Sequence, residues 1–460
     1  MLTKIIRLIT LGLLIVPLAL ALNRQSRQAA PPAPPNLLFL ISDDHSASDL
    51  GCYGNRVVQT PNLDRMAREG MRFENAFVAS PQCSPSRSAV LTGRSPHATG
   101  TSRLHGPLRA EYPTILESLK GQGYYTGAYR KVHLGDEFQK RWDFTATAKE
   151  SFATFFTQRP KDRPFYLHIG FTDPHRPYQP GAFTPPHDPA KVAVPAYLPD
   201  TPEVRRDLAL YHDAIARMDG EVGQILSLLD EQGLPDNTLI IFTGDNGMAF
   251  PGSKATLYEP GVRVPLLARW PGKIRSGEVS DDLISLIDLR PTWLEAAGLK
   301  SLDAMEGRSF LARLLGLAYS PREAVFFERN WHDNVDLIRG VRTRQFKLIQ
   351  NYRPELPYRP TLDHAEPSLS WAAILALKQA GKLSPQFDRR FFQAPRPQVE
   401  LYDLERDAWE TNNLASDPAH ADTVKRLQQM LSEWMLRTND FLPPPVGAFP
   451  GAMYKNVNPL

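Results

Sequence analysis

The stretch PNLLFLISDDHS, beginning at Pro35, constrains the fold more than any other part of this chain. An unbroken apolar run of strand length that stops at two adjacent aspartates reads as a parallel strand buried on both faces, with Asp43 and Asp44 at its carboxyl end. The pattern then recurs. PNLDRMAREGMRFENAFV predicts a helix, with Pro61 near its start and Gly70 near its stop, then a strand leading into CSPSRSAVLTGR, a short polar turn that opens at Cys83. TILESLKGQGYYTGAYRKVHLG repeats helix then strand and ends in Lys131 and His133, while RPFYLHIGFTDPHRPY is a further buried strand that delivers Asp173 and His175. ARMDGEVGQILSLLDEQGLPDNTLIIFTGDNG gives a helix, a Gly-Leu-Pro turn and a strand from Thr238 to Thr243 that ends in Asp245 and Asn246. Strands alternating with helices predict an α/β fold, a mostly parallel sheet covered on both faces. Ligands of such sheets bind beyond the carboxyl ends of the strands, so four strand ends bearing acids, an amide, His and Lys predict one shared polar site.

From about Ala312 the pattern changes. AVFFERNWHDN and IRGVRTRQFKLIQNYR read as short antiparallel strands, and the stretch from Pro354 to Pro397 is Pro-rich with one helical piece near Trp371. VELYDLERDAWETNNLA then precedes an amphipathic helix from about Ala421 to Arg437. The division expected is an α/β body over 36–311 and a smaller C-terminal α+β domain, with an antiparallel sheet, over 312–460.

At the amino end, Lys4 and Arg7 precede an apolar run from Leu8 to Leu18, and Ala19-Leu20-Ala21 supplies a small-x-small cleavage site. Residues 1–21 read as a signal peptide and 22–35 as a Pro/Ala-rich tether, which places the protein outside the cytoplasm, periplasmic or extracellular. The alternative is an uncleaved membrane tether, although the run is shorter than the roughly 20 apolar residues that span a bilayer. With 53 basic and 50 acidic residues the formal net charge is only +3, so no polybasic stripe points to nucleic acid, and any anionic ligand must be met by local charge. Cys52, in LGCYGN, and Cys83 are the whole supply of cysteine. A disulfide between them would consume the residue in the most specific local sequence of the chain, so Cys52 reads as a small buried hydrophobe and Cys83 as chemically special.

Asp43 and Asp44 together with Asp245 and Asn246 form an all-oxygen set, suited to a hard cation such as calcium or magnesium rather than zinc. Acids at strand ends also cap helices or sit in solvent. The second dyad and the cations Arg87, Lys131 and Lys254, each beside a strand-end loop, favour the metal reading. Such a group holds a tetrahedral oxyanion by charge-assisted hydrogen bonds. His133 and His175 are candidates for proton transfer, whereas His97, His187, His212, His364 and His420 read as surface or structural. His332, in NWHDN, is a candidate substrate-pocket residue from the second domain, with Trp331 beside it able to stack on a sugar face or to fill a domain junction.

Cys-x-Pro-Ser-Arg followed by Leu-Thr-Gly-Arg resembles the signature of the formylglycine-dependent sulfatases. The resemblance covers about residues 36–437 and extends to SDD at 42–44, RKVHLG at 130–135, DPHRPY at 173–178, GDNG at 244–247 and ELYDLERDAWETNNLA at 400–415. Within that family the chain is most similar to the heparan N-sulfatase (sulfamidase) group, through FTDPHR, GDNGMAFPGSKATLYEPG and RRDLALYHDAIARMDGEVG.

This resemblance implies an alkaline-phosphatase-like fold and oxidation of Cys83 to formylglycine by a formylglycine-generating enzyme that reads the motif. One hydroxyl of the hydrated aldehyde would attack sulfur, and the second would lose its proton as sulfate is expelled and the aldehyde returns. Asp43, Asp44, Asp245 and Asn246 would ligate a divalent cation, calcium, together with an oxygen of modified Cys83. Arg87 would stabilise the hydrated aldehyde, Lys131 and Lys254 would grip the sulfate oxygens, His133 would assist elimination and His175 would protonate the leaving atom. The implied substrate is a sulfated saccharide, glucosamine N-sulfate of heparan type, and a homodimer is compatible with the family. At the position of Lys254 the sulfamidase group carries arginine, whereas lysine there is common in O-sulfatases and keeps the charge without the planar fork. An O-sulfatase on another polysaccharide or small sulfate ester, a phosphonate or phosphodiester hydrolase, and a catalytically dead glycan-binding protein stay open as alternatives.

Overall fold

The computed structural model of the chain describes residues 34–300, 305–361 and 368–442; the predicted signal peptide, nearly all of the tether and His364 lie outside them. At the centre is β1 (Asn36–Ser42), buried at all seven positions. It lies between β5 (Phe165–Gly170) and β6 (Thr238–Gly244), parallel to both, with Leu38 opposite Leu167 on one side and Ile240 on the other. Beyond β5 come β3 (Tyr125–Arg130) and β4 (Phe144–Ala146), and beyond β6 come β7 (Leu266–Arg269), β2 (Met71–Phe77) and β8 (Glu278–Ser285). Every pairing is parallel except those of β7, which runs against both β6 and β2. The α/β sheet read from the sequence is therefore present.

The two-residue period of β1 divides it between two apolar layers. Leu37, Phe39 and Ile41 face one, where the Phe39 ring meets Trp293 edge-on at 4.8 Å between centroids. Leu38 and Leu40 face the other, which the helix Pro202–Glu231 covers with Val204, Leu208, Tyr211, Ile215 and Met218. Each such side chain, fully buried, is worth about 1.5–3 kcal/mol. That helix begins earlier than the sequence segment ARMDGEV suggested, because Thr201 caps it by accepting from the Val204 N–H and Pro202 fills its first position.

Cys83 is not in a turn. It is the first residue of the helix Cys83–Thr92, all ten residues of which are buried. A helix enclosed on every side carries no amphipathic stripe, and its serines and proline made it look like a loop.

The second sheet, ordered β12-β11-β10-β9, is antiparallel throughout and comprises β9 (Val325–Trp331), β10 (Val335–Arg342), β11 (Phe346–Asn351) and β12 (Val399–Asp403). The amphipathic helix Ala421–Thr438 packs Leu427, Leu431 and Trp434 on one face, with Trp434 stacked on Phe326. Val325, Phe327, Ile338 and Ile349 on the other face join the core of the first sheet. Among the described residues the Pro-rich stretch holds two helices, Leu369–Gln379 and Pro385–Phe392, where one was expected. Among the described residues no helix is long and apolar enough to cross a membrane.

Buried charge also joins the sheets. Lys347 of β11 is fully buried and lies 2.8 Å from Glu259 and 2.7 Å from Glu410, while also donating to the Leu257 carbonyl at 3.0 Å. Lys347→Met leaves the buried Glu410 without its cation, while Glu259 keeps Arg342 at 3.5 Å, and should cost about 3–5 kcal/mol, read as a lower urea midpoint. Replacing Lys347, Glu259 and Glu410 together by apolar residues should cost much less.

Candidate active site

The sheet brings the predicted strand ends together. Beyond β1, Asp44 takes a left-handed backbone (φ 63°), and its N–H donates to Asp245 Oδ1 at 3.0 Å, tying the end of β1 to that of β6. Asp43, Asp44 and Asp245 are all buried, and each gives a carboxylate oxygen within 4.8 Å of the others. Asn246 Nδ2 donates to Asp44 Oδ1 at 2.7 Å and to the Gly247 carbonyl at 2.8 Å, while its Oδ1 is buried with no hydrogen-bond partner among the described residues. Three carboxylates beside an unsatisfied amide oxygen are a hard-donor set, and these four residues fit a divalent cation of the calcium or magnesium kind.

Fixed cations surround the acids. Arg87, one turn into the Cys83 helix, donates through Nε to Asp245 at 2.8 Å and through Nη1 to the Lys131 carbonyl at 2.7 Å. Lys131 Nζ contacts Asp43, and Lys254 Nζ lies 2.7 and 2.8 Å from the two oxygens of Asp44. The approach of the Lys131 loop requires Gly170, since a Cβ there would sit 1.9 Å from the Lys131 carbonyl oxygen. Burial opposes ionisation of Asp43, yet Lys131, His175, Arg87 and Lys254 hold it well below the usual carboxylate range. Asp245 is raised by burial and by the charge of Asp43.

Cys83 Sγ sits at the helix N-terminus, 3.6 Å from Asp43 and 3.9 Å from Asp44. Burial pushes its thiol far above the ordinary value, more than Lys131 and Lys254 lower it. Cys52 is also a free thiol, so no disulfide joins the two, and it is half-buried rather than buried, with burial and then Asp64 pushing it up to about 12.

The histidines line the rim. His175 Nε2 is 3.7 Å from Asp44. Its loop is fastened by the next residue, Arg176, whose guanidinium makes two 2.8 Å bonds to Asp207 and lies over the rings of Tyr178 and Phe250. Asp173 turns instead to Arg217, with two bonds of 2.7 Å, outside the acidic cluster. His133 Nε2 lies 2.7 Å from Nδ1 of His105, a residue that no sequence motif singled out. Its only signal was its place on the loop after the Cys83 helix. His332 is buried and bonded to Asp333 at 2.9 Å, and burial, then the nearness of His332, lowers the pKa of His105. It reaches this rim because the Leu104 N–H donates to the Trp331 carbonyl at 3.0 Å, with the Arg103 guanidinium 5.9 Å from the Trp331 ring centre. His97, His187 and His212 face Glu328, Asp213 and Asp49, away from the acidic cluster.

Residues 35–299 match the sulfatase family, and residues 252–363 match the C-terminal region of N-sulphoglucosamine sulphohydrolase. The chain is 33% identical to human N-sulphoglucosamine sulphohydrolase, over 93% of this chain and 94% of that one. It is 30% identical to an ulvan-active sulfatase of Formosa agariphila, over 89% and 76%. In fold it is similar to a protein solved with its substrate D-glucosamine-2-N,6-O-disulfate, at a TM-score of 0.70 and 21% identity, over 89% of this chain and 98% of that one. A phosphonate monoester hydrolase from Silicibacter pomeroyi is similar at 0.69 and 20% identity, over 88% and 96%. With the family match running from β1 through β8 and the loops at their carboxyl ends, and a relative one-third identical across nearly the whole chain, this chain belongs to the sulfatase family of hydrolases.

Proposed function

We propose that the chain removes sulfate from a sulfated glucosamine of glycosaminoglycan type, with the N-sulfate as its target. The observation that carries the chemistry is the placement of Cys83 at a buried helix N-terminus, against Asp43 and Asp44, with Lys131 and Lys254 on the same carboxylates. The likeness to N-sulphoglucosamine sulphohydrolase supports the substrate, since its C-terminal match spans both Lys254 and His332.

Carried as a hydrated aldehyde, residue 83 supplies a geminal diol: one hydroxyl oxygen bonds to sulfur as the substrate's S–N bond breaks, and the second expels sulfate as the aldehyde re-forms. A divalent cation held by Asp43, Asp44, Asp245 and Asn246 supplies charge neutralisation at the reacting oxygens. The amino end of the Cys83–Thr92 helix favours negative charge at that same side chain. Arg87, fixed between Asp245 and the Lys131 carbonyl, sets the distance between the acids and the diol. Lys131 and Lys254 hold the sulfo oxygens, shared with the carboxylates they already touch. His175 gives its proton to the departing nitrogen. Burial, then Lys131, Arg87 and His105, push His133 down to about 3, so at neutral pH it is an unprotonated imidazole able to take the proton of the second hydroxyl.

Protein made together with a formylglycine-generating enzyme should show the formylglycine mass at residue 83 and release sulfate from N-sulfated glucosamine faster than from the 6-O-sulfated sugar. Preferential 6-O release, or phosphate release from a phosphonate monoester alone, would replace the substrate; an unmodified thiol in active protein would overturn the mechanism. Cys83→Ala should give no turnover.

Chelation should abolish activity, and added calcium should restore it and raise the melting temperature in step with its concentration. Asn246→Ala should weaken calcium binding, measured by calorimetry, by roughly an order of magnitude, since affinity follows the number of oxygen ligands.

A further inference from the structure

We infer that His105 is a positioning residue for the proton transfer at His133: its Nδ1 accepts the Nε2–H of His133 and so leaves Nδ1 of His133 as the unprotonated nitrogen, the one left to act as base. The inference rests on the role proposed above for His133 and adds a partner and a tautomer to it.

The two rings meet at 2.7 Å between His105 Nδ1 and His133 Nε2. Burial, then Lys131, Arg87 and His105, lower His133, while burial, then His332 and Lys131, lower His105, so both rings are neutral near pH 7. Between two neutral imidazoles one nitrogen must donate. His133 Nδ1 is buried and has no hydrogen-bond partner among the described residues. If it carried the hydrogen, a buried N–H would go unsatisfied, which is disfavoured. With the hydrogen on Nε2 instead, His105 accepts it, and the buried nitrogen carries only a lone pair. The exposed His105 ring then turns its own N–H toward solvent.

The backbone holds this contact in place. His105 and His133 both adopt left-handed conformations, at φ 58° and 65°, which non-glycine residues keep only where the surroundings enforce it. The Leu108 N–H donates to the Leu134 carbonyl at 3.1 Å, and Gly135 packs so closely that a Cβ there would lie 2.9 Å from the Pro107 side chain. The His105 N–H donates to Ser84 Oγ at 2.8 Å, next to Cys83. One loop thus spans from the nucleophile's helix to the base. In the elimination step the hydroxyl proton passes to His133 Nδ1, the O–H electron pair forms the carbonyl bond, and the carbon–oxygen bond to sulfate breaks. The imidazolium formed keeps its Nε2–H on His105 and returns the proton to water.

The full chain, carrying formylglycine and loaded with calcium, provides the test through three variants and one spectrum. Asparagine places an acceptor oxygen where His105 has Nδ1, whereas glutamine places its amide near Nε2. His105→Ala should lower kcat roughly 10- to 100-fold with KM within about twofold, the cost typical of losing an orienting partner. His105→Asn should recover kcat to within about threefold of wild type, and His105→Gln should not. In histidine-labelled protein, ¹⁵N shifts should show His133 with a protonated Nε2 and a bare Nδ1. An asparagine variant as slow as the alanine one, an alanine variant as fast as wild type, or a proton on Nδ1 of His133 would overturn the inference. Should the wild-type chain release no sulfate from any sugar, the proposed function falls, and the His133 tautomer still decides this inference by itself.

Discussion

Three carboxylates converge where a buried parallel sheet ends, and the rest of the site exists to make that convergence tolerable. Asp43, Asp44 and Asp245 are all but closed to solvent, and an unpaired charge in such a place costs several kcal/mol. The sequence answers with cations on separate elements: Arg87 on the Cys83 helix, Lys131 after β3 and Lys254 on the loop after β6. Each must approach through close-packed backbone. Gly170 admits the Lys131 carbonyl, and Arg87 binds that carbonyl while it holds Asp245, so two strand ends and one helix are fixed by a single guanidinium.

The division of labour between arginine and lysine follows from their chemistry. Arg87 uses a planar fork, fully buried, to bond in two directions at once, and a group so committed sets geometry. Lys131 and Lys254 present point charges on flexible stems to single carboxylates. A point charge can be shared between a carboxylate and an incoming sulfo oxygen without breaking a network. Lysine at 254 is therefore compatible with gripping a sulfamate, although it gives up the bidentate recognition that arginine would add.

Legibility in the sequence tracked burial. β1, β5 and β6 could be read because a strand buried on both faces is an apolar run, and the residues that end such runs are the candidate site, while β3 was read from the helix-then-strand repeat. β4 spans three residues, β7 four, and β8 carries two adjacent aspartates, so none of them shows a period to detect. The Cys83 helix went unread for the opposite reason, since it is enclosed on all sides and has no polar face to contrast with an apolar one. Metal-type acids, cations and His175 were legible as residue types at strand ends. His105 was not, because it belongs to no strand end: the Leu108 N–H bond to the Leu134 carbonyl and the His105 N–H bond to Ser84 Oγ bring it to His133.

The second sheet bears on the site differently. The acidic cluster and its cations come from the first sheet and the loops at its strand ends, whereas Trp331 and His332 arrive at their rim on the β9–β10 hairpin, held there by the Leu104 bond to Trp331. The register shift between Val335 and Ile338 lets that hairpin bend out of the sheet to reach the rim. Buried charge fixes the β10 strand of the hairpin, where Arg339 pairs with Asp440. Val325, Phe327 and Ile338 of the same hairpin pack into the core of the first sheet, so the tip that carries Trp331 and His332 is held by the body it faces.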